Sequence, residues 1–452
     1  MGDRYQSLDF LRGVSIFGMI FSAIIPYGVL PAWMYHIQNP PPTHALDMNL
    51  PGIGWVDLVF PIFIFCMGVA IPLSFKSGRR KYVKSVVTRF LRLWAFSYLY
   101  VLMNFANVDG IWPQLCTIAG FGALFLIYYK PSVKVIGIIF AVAIITIGHC
   151  FFGEVIGFHR RGIIIFLLAF LYLFGSLIWY FTRDRLGLRA LIFALLFIFA
   201  HITRELDWPA ITYANPNIRW WFNMEYFYFL ILLLPATVVG DILRGMRGKG
   251  VPGERNSAVT ECKSGWLWHI LSPLYLLFVV WQCYALYMNI PLLNITVSVP
   301  VVMFFIIMAY KFFPRNLTFS IMAALLVVWG VTMGVVEGGV QKVPCTLSYC
   351  LVTCGISIYL LLFSNYICRY CSGNFLVRIF EGAGQNPLMG YVAFDLLLVP
   401  LMKATGLIEI YSSIYPGPDG NALFGVLRAA FVTLFTMWIV ALFSRKKIFW
   451  KA

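Results

Sequence analysis

Two histidines and one aspartate near the N-terminus are the residues best suited to catalysis. His36 and His44 lie in the Pro-rich segment 31–54, and Asp57 follows at the start of a long apolar run. A carboxylate just inside a membrane helix is costly and normally has a partner. Asp57 therefore either caps its own helix or orients one of the histidines, so that the free ring nitrogen acts as base or nucleophile. For each histidine, simple solvation in a loop is the alternative.

A second group of polar residues opens the chain. Arg4, Ser7, Asp9 and Arg12 stand at the mouth of the first apolar run. Asp9 and Arg12 are three residues apart on one helix face, so they can simply pair and anchor the helix end. Alternatively, an arginine is left to hold a phosphate-bearing ligand, since guanidinium groups bind phosphate with two parallel hydrogen bonds.

Other candidate residues are weaker. Asn386 lies in the Gly-rich segment 381–387, which is either an unwound stretch lining a cavity or a plain loop. The remaining four histidines are interpreted as structural. The ten cysteines form no metal-spaced set, so no metal site is predicted.

The elements that position these residues are membrane-spanning helices. Residues are 61% hydrophobic and only 12% charged, and a water-soluble domain of this size could not carry that composition. Apolar runs long enough to cross a bilayer as helices predict an all-α transmembrane bundle of about 12–14 spans, near 8–30, 55–75, 87–106, 112–129, 134–152, 162–182, 189–204, 221–243, 266–288, 293–313, 317–336, 344–365, 386–404 and 423–443.

Basic residues predict the orientation of the bundle. All but seven of the 34 lysines and arginines fall on the side of the termini, and the exceptions are Arg160, Arg161, Arg204, Arg219, Lys342, Lys403 and Arg428. Because basic loops stay in the cytoplasm, both termini are predicted there. The same pattern explains the net charge of +16 without nucleic-acid binding, which we do not expect.

The chain is interpreted as a single transmembrane domain, residues 1–452. Its N-terminal part, residues 4–75, carries the two motifs described above, and no internal repeat is visible. Residues 244–265 are rich in Gly and charge, so they are predicted to form a mobile cytoplasmic loop.

The two N-terminal motifs resemble a known family. Arg4-x-x-Ser7-Leu8-Asp9-x-x-Arg12-Gly13, followed by Asp57-Leu58-Val59-Phe60-Pro61, is similar to the heparan-α-glucosaminide N-acetyltransferase family of transmembrane acyltransferases, and the chain looks like a bacterial relative of the Bacteroidetes type. Gly384-Gln385-Asn386 weakly resembles a Gly-x-Asn element of that family.

The resemblance implies a function. An acetyl group would pass from cytoplasmic acetyl-CoA to the amino group of a glucosamine-type sugar or glycan across a bacterial inner membrane, in a homodimer. The family's catalytic histidine lies between the motifs, where His44 is the best match and His36 the second. CoA would rest against Arg4, Ser7, Asp9, Arg12 and Asn386, while Asp57 orients His44, which either deprotonates the amine or carries the acetyl group.

An amino-sugar transporter without acyl chemistry is the rival interpretation. Many spans, the break at 381–387 and sparse intramembrane charges such as Glu225, Asp241 and Asp395 would suit one. The absence of repeated halves and the position of most ionisable residues near the membrane faces favour the acyltransferase.

Overall fold

Long helices make up most of the chain. The computed structural model describes residues 5–75, 79–157, 159–215, 217–219, 222–248, 265–417 and 420–450. Thirteen long helices lie within these ranges: α1 (Gln6–Ile24), α2 (Trp55–Ser74), α3 (Arg79–Leu102), α4 (Ile111–Tyr129), α5 (Lys134–Phe152), α6 (Ile163–Thr182), α7 (Leu186–Glu205), α10 (Leu230–Gly248), α11 (Gly265–Tyr287), α12 (Pro291–Phe312), α13 (Leu317–Val336), α14 (Leu347–Tyr370) and α19 (Ala422–Arg445).

Shorter helices complete the bundle: α8 (Trp208–Ala214), α9 (Glu225–Tyr228), α15 (Phe375–Gly384), α16 (Pro387–Ala393), α17 (Val399–Ala404) and α18 (Leu407–Ile414). A π-helical turn, Phe394–Leu398, joins α16 to α17, so that Pro387–Ala404 forms one membrane-length unit. The described residues contain no β-strand, and the prediction of an all-α polytopic bundle is confirmed.

Every predicted span overlaps one of these helical segments. Thirteen helical segments of the described chain are long and apolar enough to cross a membrane. The one remaining predicted span, 87–106, corresponds to α3, which is 24 residues long. Its N-terminal half is strongly basic, because six of the residues between positions 79 and 92 are Lys or Arg. This half suits a headgroup region, and only the apolar remainder suits hydrocarbon.

The helix α14 forms the centre of the bundle. In its most apolar stretch 89% of the residues are buried, against 22% for α5 and 17% for α7. It contacts α1, α2, α10, α11 and α13. The core therefore surrounds α14, and the weakly buried helices present their apolar side chains to lipid, as the hydrophobic composition requires.

The beginning of α1 and the end of α19 meet the same short helix, α15. A Cβ atom at Gly13 would overlap the carbonyl oxygen of Phe380, and one at Gly384 would overlap that of Asp9. From the other side, the Ser444 hydroxyl donates to Gly382 O at 2.7 Å. Both ends of the described chain thus lie at one end of the bundle, and their cytoplasmic location stays a prediction.

The predicted mobile loop 244–265 falls mainly on residues 249–264, which lie outside the described ranges. Its first residues are helical, because α10 continues to Gly248. Its last residue, Gly265, begins α11.

The close approach of α1 and α15 gives a first testable prediction. Gly13→Ala should lower the free energy of unfolding by about 1–3 kcal/mol, since the added methyl group forces two backbones apart. The matched control is Gly122→Ala in α4, where a Cβ atom meets nothing within 4 Å. Thermal unfolding of the purified protein in detergent compares the two. Equal stability of both variants would contradict the proposed packing.

Candidate active site

Asp57 and His36 form a hydrogen-bonded pair at the end of the bundle opposite the two ends of the described chain. The His36 Nδ1 atom lies 2.5 Å from Asp57 Oδ1. The second carboxylate oxygen, Oδ2, accepts from the Gly54 N–H at 3.0 Å. Asp57 is only 3% exposed. Both roles considered for this residue are therefore realised at once, since one oxygen caps α2 and the other holds a histidine.

The pair defines which ring nitrogen of His36 can react. An ionised carboxylate only accepts hydrogen bonds, so we assign the Nδ1 proton to the bond with Asp57. This tautomer leaves Nε2 with its lone pair. The His36 side chain is 38% exposed, so the imidazole is anchored on one side and accessible on the other. Such an arrangement suits a general base or a nucleophile.

A proline in α2 connects the pair to the central helix. Pro61 has no N–H, so the carbonyl oxygen of Asp57, four residues earlier, lacks its usual helical donor. The hydroxyl of Tyr349, in the first turn of α14, donates to this oxygen at 2.7 Å. Tyr349 is fully buried. The Tyr349 hydroxyl of α14 thus replaces the missing helical donor, and this bond holds the first turn of α2 against α14.

Lys342 supplies a positive charge beside the pair. Its Nζ atom lies 3.4 Å from His36 Nδ1 and 3.6 Å from Asp57 Oδ1. Burial lowers the pKa of Lys342 below its usual value of 10.5, and the Asp57 carboxylate opposes this shift. The lysine stabilises the buried carboxylate.

The turn that carries Lys342, residues 337–346, is held against the segment 31–54. The Gln38 side chain donates to Val343 O and accepts from Val343 N at 3.0 Å. The Gly52 N–H donates to Val340 O at 2.8 Å. The two bonds of the Gln38 side chain and the backbone bond of Gly52 bring Lys342 to His36 across 306 positions of sequence.

Glu337 fixes the other side of this turn. Its carboxylate pairs with Arg204 and accepts from the backbone N–H groups of Leu347 at 3.0 Å and Ser348 at 2.9 Å. A carboxylate at the N-terminus of α14 satisfies orphan donors and complements the helix dipole. The turn is therefore anchored to α7 and to α14.

His44 is placed differently from our expectation. Its ring packs against Tyr27, with centroids 3.9 Å apart, and edge-on against Tyr35 at 4.5 Å. The histidine that bonds Asp57 is His36, so the predicted orientation of His44 by Asp57 is wrong. The reason is that segment 31–54 folds back on the 337–346 turn, which brings His36 to the first turn of α2.

The backbone around His36 and His44 explains this placement. The Tyr35 hydroxyl donates to Pro26 O at 2.6 Å, and Tyr35 is buried. The chain is therefore fixed immediately before His36. His44 has a φ of 51°, a left-handed conformation that is uncommon for residues other than glycine. His44 thus lies in a tight turn between two tyrosines.

Two of the predicted donor-binding residues at the opposite end, Asp9 and Arg12, are engaged with the protein. Arg12 bonds Asp9 at 2.9 Å and donates to Cys66 O at 3.3 Å, so the interpretation that they pair is confirmed. Ser7 borders a cavity of only about 10 Å³, which is about the size needed for one water molecule. Arg4 lies outside the described residues.

Asn386 has partners in the C-terminal tail. Its Nδ2 donates to Ile448 O at 3.0 Å, and its Oδ1 accepts from Trp450 N at 3.1 Å. These bonds hold the tail against α16 and give Asn386 a structural role. A contact of Asn386 with CoA stays a prediction.

Sequence reasoning missed three residues that build the site. Lys342 appeared only as one of the seven basic residues away from the predicted cytoplasmic side, and that exceptional position was the available signal. Glu225 was noted only as an intramembrane charge, whereas its carboxylate accepts from Cys345 N at 3.3 Å in the same turn. Gln38 gave no signal, because its partner Val343 is remote in sequence.

Comparison with known proteins identifies a family through the N-terminal half of the chain. Residues 4–243 match the family model described as a domain of unknown function, DUF5009. No curated protein matches the chain. The matched part includes His36, His44 and Asp57, while Lys342 lies beyond it.

The lowered pKa of Lys342 predicts a pH-dependent stability. Between the lowered pKa and the usual value of 10.5, the unfolded chain binds a proton that the folded chain has lost, so the free energy of unfolding rises with pH. Lys342→Met should remove this contribution and give a flatter dependence. Thermal unfolding in detergent at pH 7.5 to 10.5 measures it.

The control for this measurement is Lys446→Met, at an exposed position of the tail. Its stability should follow the wild-type dependence on pH. If Lys342→Met also followed that dependence, the lysine would not be desolvated in the folded protein.

Proposed function

We propose that this chain, which belongs to the DUF5009 family, is a transmembrane acyltransferase with His36 as its catalytic residue. The reaction is transfer of an acetyl group from cytoplasmic acetyl-CoA to the amino group of a glucosamine-type sugar on the far side of the membrane. The observation that carries this proposal is the bond between His36 Nδ1 and Asp57 Oδ1. The resemblance of residues 4–75 to the heparan-α-glucosaminide N-acetyltransferases supports it.

The chemistry follows from the orientation of His36. The neutral sugar amine attacks the thioester carbonyl while Nε2 accepts a proton from the amine nitrogen, and a C–N bond forms as the C–S bond breaks. The proton then passes from the imidazolium to the departing sulfur. Asp57 stabilises the imidazolium and holds the tautomer, as a carboxylate does in other histidine-dependent transferases and hydrolases. Attack by Nε2 itself on the thioester would give a two-step route with the same residues.

The surroundings of Asp57 strengthen its contact with His36. Asp57 is buried, and the 337–346 turn, which is bonded to Gln38, carries Lys342 beside the pair. Low local polarity strengthens these electrostatic contacts. Lys342 acts as a positioning residue that keeps Asp57 ionised.

A matched pair of histidine variants tests the assignment. His36→Asn should lower kcat for acetyl transfer by about 10²–10⁴-fold, the contribution of a general base, while His44→Asn should retain turnover. Asparagine is chosen because it tolerates the left-handed backbone of residue 44. The assay follows radiolabelled acetyl-CoA and glucosamine with the purified protein in detergent, and calorimetric titration checks acetyl-CoA binding in each variant.

Three outcomes separate the hypotheses. Loss of transfer in His44→Asn alone would return the catalytic role to His44. Transfer at the wild-type rate by both variants would exclude both histidines as the base. If the wild-type chain bound no acetyl-CoA at millimolar concentration, while vesicles accumulated unmodified labelled sugar, the chain would be a transporter.

Asp57→Asn tests the orienting role separately. The amide keeps the shape of the carboxylate and can still cap α2, but it cannot enforce the same tautomer of His36, so kcat should fall at least about a hundredfold. The dissociation constant for acetyl-CoA should not change. Wild-type turnover in this variant would reduce Asp57 to a helix cap.

A further inference from the structure

A crevice of about 420 Å³ lies between α3, α4 and α5, and the proposed chemistry makes no use of it. Most of its lining is apolar, and it includes Leu91, Ala95, Leu99, Ile127 and Ile138. Three cations, Arg92, Lys130 and Lys134, also line it. A long apolar surface combined with clustered positive charge suits an amphipathic anion.

The crevice lies where membrane-spanning helices end. Lys130 follows the last residue of α4, and Lys134 is the first residue of α5. Across the crevice, Arg92 belongs to the basic half of α3, and the Arg92 carbonyl accepts from the Tyr128 hydroxyl at 2.8 Å. Lys130 and Lys134 are therefore at the level where lipid headgroups begin, with Arg92 across the crevice, on the side that the basic residues predict to be cytoplasmic.

The crevice also faces lipid. Only 22% of the most apolar stretch of α5 is buried, and two apolar side chains that line the crevice, Leu91 and Ile138, are themselves exposed. A lipid molecule can therefore enter sideways from the bilayer. Its acyl chain would lie on an apolar lining, and its phosphate would reach the cations at the membrane face.

We propose that this crevice binds an anionic phospholipid, with the phosphate held by Lys130, Lys134 and Arg92 and an acyl chain along the apolar lining. Basic pockets between membrane helices at the cytoplasmic side are suited to anionic headgroups. The phosphates of CoA share this charge, but the nucleotide also needs polar partners for its base and ribose. The lining offers few, so the lipid is the better match.

The site should show itself as selectivity among lipids. The full chain, purified in dodecyl maltoside, is titrated with dioleoyl phosphatidylglycerol or dioleoyl phosphatidylcholine, and native mass spectrometry counts the bound lipids. Lys130→Gln combined with Lys134→Gln should weaken phosphatidylglycerol binding roughly thirtyfold, from the loss of two interfacial charges. Ala95→Leu, which narrows the crevice without a change of charge, should weaken it as well.

Lys446→Gln combined with Lys447→Gln is the matched control, because it removes two exposed charges of the tail. Phosphatidylglycerol binding should be unchanged in it. Equal binding of the two lipids by the wild-type chain, or full phosphatidylglycerol affinity in the Lys130 and Lys134 variant, would overturn the proposal. Displacement of phosphatidylglycerol by millimolar CoA would assign the crevice to CoA instead. These outcomes do not depend on whether the chain transfers acetyl groups.

Discussion

A buried carboxylate in the first turn of a membrane helix must find its hydrogen bonds and counter-charges within the protein. Asp57 meets this requirement through three separate parts of the chain. Its two oxygens bond Gly54 at the start of α2 and His36 in the preceding segment, and Lys342 supplies the nearest positive charge. Because this single side chain links α2, the 31–54 segment and the 337–346 turn, the geometry of the candidate site depends on it.

The same site depends on where α14 lies. Pro61 leaves the Asp57 carbonyl without a helical donor, and the Tyr349 hydroxyl replaces that donor. Glu337 then binds the first N–H groups of α14 and Arg204. An unsatisfied polar group is most expensive where water is scarce, so these bonds hold the outer end of the bundle in one arrangement around its most buried helix.

The opposite end of the bundle is built by close backbone packing. Gly13 and Gly384 allow α1 and α15 to approach until a side chain would not fit, and Asn386 holds the tail through Ile448 and Trp450. In membranes the hydrophobic effect does not drive helices together, because lipid is as apolar as the side chains. Helix association therefore depends on close packing, which small residues such as glycine allow. The N-terminal motif thus has a structural role at Asp9, Arg12 and Gly13, independent of any ligand.

Composition and hydropathy alone determined that the chain is an all-α membrane protein, and apolar run length located each long helix, because both follow from local transfer of side chains into lipid. Sequence also singled out Asp57 and the two histidines. Tertiary structure decided which histidine Asp57 holds and added Lys342. Neither could be read from sequence, since the choice depends on how segment 31–54 folds back on a turn about 300 positions away, and such long-range hydrogen bonds leave no periodic or local pattern.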